Sequence, residues 1–459
     1  MNKDDKDKYL KQLEDKIALL EARIKELERM LGINSQNSSK PPSSDGPEVL
    51  QPRTRGEIRR KRGARKGHQP YLRKLFPPEE VTKFIPHEPP ACTCGGEDLE
   101  ECDEEPLRHQ TVDIPPVKPI VIEHVQYVRR CKKCGALVYA PLPDEVRRNI
   151  FGPGVLAIVG VLTGMLNTSK RKALAVITEV FQVPMSLGGL SNCEAQLTKV
   201  LEQPYNEAVE HVREQEIGHA DETGWPRGNR KKGWLWTLGG TTAVFFMVQA
   251  RRSQKAARQL IGGFAGKLVS DRYNAYNFYP FLRQICWAHL KRDFKAIGEA
   301  GGKLGKIGLE LHQLSRQILK MRARVRDGTL LWQTFQRRMP ELQKQVELRL
   351  EAGACFNGKL GGKCRDILKQ KKYLWGFVED QDMEPTNNFA ERIVRQGVLW
   401  RKTSFGTQSE RGARYVERIL TACATCRLQG QSVIAYLRNA CHCHLDGIPV
   451  PSLIKTSGC

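Results

Sequence analysis

Between Glu214 and Leu290 short apolar runs alternate with Gly-rich turns, and this segment restricts the fold more than any other. EIGHADETGW, KKGWLWTLGG and TTAVFFMVQAR read as three strands of a meander. SQKAARQLIGGFAG has helical spacing, and KLVSDRYNAY and RQICWAHL read as two further strands. Two of these runs close on an acid, Asp221 in the first and Asp271 in the fourth. A third acid, Glu391, lies on the helix-like stretch NNFAERIVR, with Arg392 and Arg395 beside it and Arg401 and Lys402 further on. A lone Asp at a strand end is usually a turn cap, and a Glu on a helix usually faces solvent. Three acids in such distinctive settings fit hard oxygen ligands gathered from separate elements, the set that a pair of divalent cations needs at a phosphodiester. Glu222 is a decoy for Asp221, because successive strand residues point to opposite faces. Asn387 and Asn388 suit the entrance of the helix that carries Glu391 as caps.

The expected fold class is α/β and multidomain. The order of three strands, helix and strand is the ribonuclease H-like layout, in which the first and fourth strands are neighbours. Asp221 and Asp271 would then share one edge of the sheet. Residues 303–373 are basic and helical and read as an insertion between the second and third acids.

Charge narrows the partner. The chain of 459 residues carries 74 Lys and Arg against 51 Asp and Glu, a net +23, which favours a polyanion such as DNA. Its first residues are too charged for a secretory signal. The longest apolar stretch, Phe151 to Leu166, is shorter than the roughly 20 residues that span a bilayer, and reads as a buried helix. No membrane partner is expected. Fourteen cysteines without a signal point to thiols and metal ligands in a reducing cytosol.

Six segments follow. Residues 1–33 carry Leu10, Leu13, Ile17, Leu20, Ile24, Leu27 and Leu31 at alternating spacings of three and four, a short coiled-coil seam for self-association or an amphipathic helix on its own domain. Residues 34–75 form a polar linker and a basic arm; positions 53–74 hold ten Lys or Arg, including Arg59, Arg60, Lys61, Arg62, Arg65 and Lys66, against the single acid Glu57. Such an arm neutralises phosphates and releases counterions. Residues 76–142 contain Cys92, Cys94, Cys131 and Cys134, each pair followed by Gly, with strand-like text between: a zinc-ribbon-like unit, or plain reduced thiols. Cys102 is an alternative to Cys92, and His109 or His124 compete as ligands.

Residues 143–212 are helical and fit a helix-turn-helix around Pro184 to Gly189 or, more commonly, a helical hairpin. Residues 213–410 hold the three acids, with the insertion at about 300–375, and residues 411–459 are a helical C-terminal region. There Cys423, Cys426, Cys441 and Cys443 fall among Leu, Ile and Ala and read as core thiols rather than a second metal site.

Taken together, NSQNSSKPPSSD, CxCGG, CxxCG, DETGW, SDR, RQICWAHLKRDF, NNFAERIVR and WRKTSFGT make the chain resemble transposases of the insertion sequence 66 family over essentially its whole length. The resemblance implies a DDE (Asp-Asp-Glu) domain of ribonuclease H-like fold, with Asp221, Asp271 and Glu391 as the triad holding two Mg²⁺ or Mn²⁺ ions. It implies cleavage at transposon ends and transfer of the 3′-hydroxyl to target DNA, by a homo-oligomer, with terminal inverted repeats as the recognised DNA. Accessory proteins encoded beside it and a bacterial, nucleoid-associated setting also follow from the resemblance. Cys286 and His289 look like the C-x-x-H signature near the second acid of related transposases, expected to support the site structurally. The alternatives are a catalytically inert DNA-binding regulator and a metal-dependent nuclease on the same fold.

Overall fold

The computed structural model describes residues 73–88, 99–100, 105–143, 146–147, 150–228 and 231–455, with helical positions 13, 14, 16, 17 and 20 near the start. The rest of the heptad seam, the linker, nearly all of the basic arm with Arg59, Arg60, Lys61, Arg62, Arg65 and Lys66, and Cys92, Cys94 and Cys102 lie outside the described residues. Two units divide the chain, one of residues 50–118 and the other of residues 1–49 and 119–459. Within the first, the Gln110 amide brackets the Phe76 backbone, accepting its N–H at 2.8 Å and donating to its carbonyl at 2.9 Å. The paired donor and acceptor of an amide imitate a strand partner where no strand forms.

In the larger unit a small hairpin comes first, β1 (Val128–Arg130) antiparallel to β2 (Leu137–Tyr139). Among the described residues of this unit, the strand-like text of residues 119–127 forms no strand outside this hairpin, and Ile120, Val121, Ile122 and Val125 are exposed. β propensity alone did not make a ladder there. Four helices follow: α1 (Pro153–Gly160), which runs on into a π turn at Val161–Met165, α2 (Lys170–Glu179), α3 (Leu187–Val200) and α4 (Glu202–Arg213). Leu156, Ala157, Val159 and Leu162 of the first are buried, as its apolar text implies. No helix among the described residues is long and apolar enough to cross a membrane.

The central sheet is mixed. β3 (Ile217–Arg227) pairs antiparallel with β4 (Lys231–Gly239), which pairs antiparallel with β5 (Val244–Gln249). α5 (Gln254–Ile261) leads to β6 (Lys267–Ser270), parallel to β3, and β7 (Arg283–Ile285) is parallel to β6. The strand order is β5-β4-β3-β6-β7, so the strand carrying Asp221 lies at the centre. Two expected strands are shorter than their text suggests. KLVSDRYNAY leaves the sheet at Ser270 and makes a 3-10 turn at Asn274–Tyr276. RQICWAHL is a strand only to Ile285, because Cys286 is the N-cap of α6 (Trp287–Gly298).

Three long helical pieces fill the expected insertion: α7 (Gly302–Arg326), α8 (Trp332–Ala354) and α9 (Gly358–Lys369). Their apolar stripes pack with Trp287, Leu290, Phe294 and Ile297 of α6 and with Val269 and Ile285 of the sheet. The last elements are α10 (Gly376–Glu379), α11 (Asn388–Ser404), α12 (Glu410–Leu428) and α13 (Val433–Leu445). One face of the sheet packs Ala220, Trp236, Leu238 and Phe245 against Ala257 and Leu260 of α5. Trp225, Leu235 and Phe246 instead join Ile419 and Leu420 of α12 and Leu156 of α1. Cys423, Cys426 and Cys441 are buried there as core thiols.

Candidate active site

Register brings the first two acids together. His219 faces Val269 across the parallel pair; Asp221 lies two residues further along β3, and Asp271 two residues after Val269, just past the end of β6. Neighbouring strands are about 4.8 Å apart, so both acids sit beside the carboxyl end of β6, Asp221 in mid-strand and Asp271 just beyond it. Alternation along β3 buries Gly218, Ala220 and Glu222 on one face and leaves His219, Asp221 and Thr223 on the other. α11 covers this second face: the His219 and Phe389 rings are 5.0 Å apart, and the Arg401 guanidinium donates to Gly224 O and to Thr223 Oγ1. Arg401 is therefore spoken for within the fold, whereas Arg392, Arg395 and Lys402 are exposed.

Asn387 fixes where the third acid stands. It occupies the N-cap position of α11, yet its side chain makes no cap bond. Instead Nδ2 donates to Ala220 O at 2.7 Å, Oδ1 lies 3.3 Å from His219 Nδ1, and its N–H donates to Cys286 Sγ at 3.1 Å. The expected capping role is thus replaced by a buried tie between β3, α11 and the start of α6. One turn on, Glu391 Oε1 lies 3.4 Å from His289 Nε2 and 3.7 Å from an Arg292 Nη, with no hydrogen-bond partner among the described residues.

At the far end of α11 the chain locks back onto β3. Trp225 Nε1 donates to Thr407 Oγ1 at 3.1 Å, and Thr407 N–H donates to Pro226 O. Between them Gly406 has φ 84° and would place a Cβ 2.1 Å from Pro226 O, so only glycine fits. This is how the DETGW and TSFGT texts come to depend on each other.

The carboxylates feel one another. Burial, then the charges of Glu222, Asp271 and Glu391, hold the Asp221 carboxyl well above its usual range. Its one hydrogen bond among the described residues is accepted by Oδ1 from the Glu222 N–H at 2.9 Å. Ion pairs at this edge, among the described residues, run to Glu222, Asp271 and Glu391 and none to Asp221. Burial also pushes Glu222 up to about 7, with the Asp271 charge adding to it. Glu222 is held from the other face by Tyr276 Oη (2.8 Å) and Arg252 Nε (2.7 Å). Arg252 also reaches Asp271 at 3.5 Å, and its guanidinium lies 3.9 Å from the Tyr273 ring centroid. A carboxylate set this poorly neutralised fits a divalent cation. Burial keeps His219 at about 4 and so neutral, and lowers His289 as well.

Arg252 and Tyr276 escaped sequence reasoning, and Asn387 was read only as a cap. Arg252 stands beside an identical Arg251, and no local signal separates the two.

The cysteine knuckle is half visible. Cys131 and Cys134 lie on the turn of the β1–β2 hairpin, where Gly135 N–H donates to Cys131 O at 2.9 Å and Gly135 takes φ 75°. The Cys134 and Lys133 amides hold the Cys131 thiol below its ordinary value, the preparation a metal thiolate needs.

Fold and site together define a mixed α/β protein with converging carboxylates at the edge of a central strand and a cysteine knuckle outside it. The chain belongs to the transposase IS66 family, whose description matches residues 148–415. Residues 89–135 match the zinc-finger binding domain of that family's transposases, which supports a structural zinc at the knuckle. Residues 4–74 match a family described only as of unknown function. Among relatives, the uncharacterized protein y4hP of Sinorhizobium fredii is 26% identical over 420 residues, covering 80% of this chain and 73% of that protein. The uncharacterized protein y4qI of the same organism is 27% identical over 272 residues, 50% of this chain and 48% of that protein.

Proposed function

We propose that this protein cleaves DNA at transposon ends and joins the freed 3′-hydroxyls to target DNA, with Asp221, Asp271 and Glu391 as its catalytic acids. The observation that carries this is the register that brings Asp221 of β3 beside Asp271, just after β6, where the charges of Asp271 and of Glu391 on α11 both raise the Asp221 carboxyl. Strand order supports a ribonuclease H-like reading of the domain, since of the five strands only β4, next to the central β3, runs antiparallel to the others.

Asp221, Asp271 and Glu391 would hold divalent cations, Mg²⁺ or Mn²⁺, which supply a sharpened water or 3′-hydroxyl and a partner for the leaving oxygen. Asn387 and the Trp225–Thr407 lock would hold α11 so that Glu391 can join the other two acids around the ions. Arg392, Arg395 and Lys402 offer exposed cations to phosphates on the same helix. The basic arm and zinc knuckle belong to end recognition, and the N-terminal seam to pairing of two copies; Leu13, Ile17 and Leu20 are exposed on the single chain.

The test is strand cleavage and joining on DNA carrying the element's ends. Asp271→Asn should lower both by more than the roughly 10–100-fold typical of an outer-shell partner. Wild-type activity in that variant removes Asp271 from the site. Cleavage without joining would instead identify a nuclease, and DNA binding without nicking an inert regulator.

A further inference from the structure

We infer that Cys286, His289 and Glu391 form a second metal site, selective for a thiophilic divalent cation such as Zn²⁺, which takes Glu391 away from the other two acids. The Sγ of Cys286, a ring nitrogen of His289 and a carboxylate oxygen of Glu391 all lie within 4.8 Å of one another. They come from separate places: Cys286 and His289 from the first turn of α6, Glu391 from the first turn of α11. Ligands at about 2.0–2.3 Å from a tetrahedral zinc are roughly 3.5 Å apart, so an adjustment of about 1 Å closes the set. Glu391, whose side chain is 38% exposed, has the freedom to make it.

Two further features point to a cation here. Glu391 Oε1 is shielded from solvent and has no hydrogen-bond partner among the described residues, an acceptor left open. The sulfur already receives the Asn387 N–H at 3.1 Å, and the amides of His289 and Ala288 favour the thiolate as well. N–H groups directed at sulfur are what a metal-bound thiolate requires, and they oppose the burial that pushes this thiol up to about 11. Binding would release the Cys286 proton to solvent and form one metal–sulfur bond, with water in the fourth position. His289 is lowered by burial and by Arg292, and offers a neutral ring. Arg292, 3.7 Å from Glu391, now supplies the positive charge and would swing aside on loading.

The Mg²⁺ set at Asp221 and Asp271 is all oxygen; this one is mixed sulfur, nitrogen and oxygen, and so prefers a softer ion. Competition for Glu391 rests on the functional reading above, but ion binding at Cys286 does not.

Full-length protein with Cys131→Ser and Cys134→Ser, which remove the knuckle half-site, is titrated with Co²⁺ and Zn²⁺. One thiolate-to-cobalt charge-transfer band should remain, bleached by one equivalent of zinc. Adding Cys286→Ser should abolish the band, and His289→Asn should weaken affinity by more than about 100-fold, the upper end for an outer-shell partner. Circular dichroism checks that each variant is folded. No band in the parent, or a band that survives both substitutions, overturns the site. In protein with the knuckle cysteines intact and their zinc bound, one further equivalent of zinc should also lower Mg²⁺-dependent cleavage by at least about 10-fold, and leave the rate of its Cys286→Ser variant unaffected. Cobalt bound at Cys286 when the knuckle-intact protein shows no Mg²⁺-dependent cleavage would fail the functional reading while sustaining the site. Binding without zinc inhibition overturns the competition.

Discussion

Asp221 carries the sharpest conflict between folding and function at the level of single residues. Burial and three like charges work against its ionised form, and among the described residues no cation pairs with it. Asp221→Asn relieves that repulsion, so the metal-free protein should become more stable by on the order of 1–2 kcal/mol. Wild type should gain stability with Mg²⁺, by about 2.7 kcal/mol at a hundred times the dissociation constant, and the variant should gain little. Urea unfolding with and without Mg²⁺ measures both effects. Equal stabilisation of the two proteins would place the ion elsewhere. The nearness of Asp221 and Asp271 was legible from the order of the strands, but the end of the first was not: β3 runs on to Arg227, so Asp221 stands mid-strand opposite Thr237. Nor was the role of Asn387, since Asn-Asn before a helix reads as capping and only the approach of β3 turns its amide to another use. Arg252 and Tyr276 were hidden for the same reason: their partner, Glu222, is 54 residues from Tyr276 and in another element.

Among the elements, the fit of α12 to the open edge of the sheet has the clearest energetic content. β5 is an edge strand, and its outward N–H groups at Val244, Phe246 and Val248 need acceptors. Thr425 Oγ1, Thr421 Oγ1 and Glu417 Oε1 accept them at 3.2, 3.1 and 2.7 Å. Steps of two along a strand are about 6.8 Å, and steps of four along a helix about 6.0 Å, so the two rows stay in phase for three contacts. Thr421→Val keeps shape but orphans the Phe246 amide, and should cost about 1–3 kcal/mol in unfolding free energy. Faster exchange of the Phe246 amide hydrogen should accompany the loss. An unchanged stability would mean water satisfies that edge. Helix α12 itself was legible from VERILTACATC, but polar residues at four-residue steps carry no sign of what they will meet. The short RQI strand failed differently: a brief apolar run suits strand or helix equally, and the turn at Cys286 is set by a bond from Trp287 N–H to Pro385 O nearly a hundred residues away.

For the molecule as a whole, buried titratable groups set a pH profile of stability. Burial pushes Glu417 to about 7 from 4.5, and Glu222 to about 7 from the same value. The folded chain therefore holds these protons more tightly than the unfolded one, and each contribution is lost as pH rises from about 4.5 through about 7. His219 has the opposite sign. Burial lowers it from 6.5 to about 4, so the unfolded chain binds the extra proton and stability grows as pH rises across that window. The two tendencies overlap and partly cancel up to about pH 6.5. Above it the glutamates act without that opposition, so stability should fall most clearly between about pH 6.5 and 7.5. Glu417→Gln removes one share while leaving an oxygen for Val248 N–H. Its stability relative to wild type should rise by up to about 3 kcal/mol between pH 5 and pH 8, read from urea unfolding at each pH. A constant offset across that range would mean that Glu417 is ionised in the folded state throughout, with Arg414, 2.7 Å away, outweighing the burial.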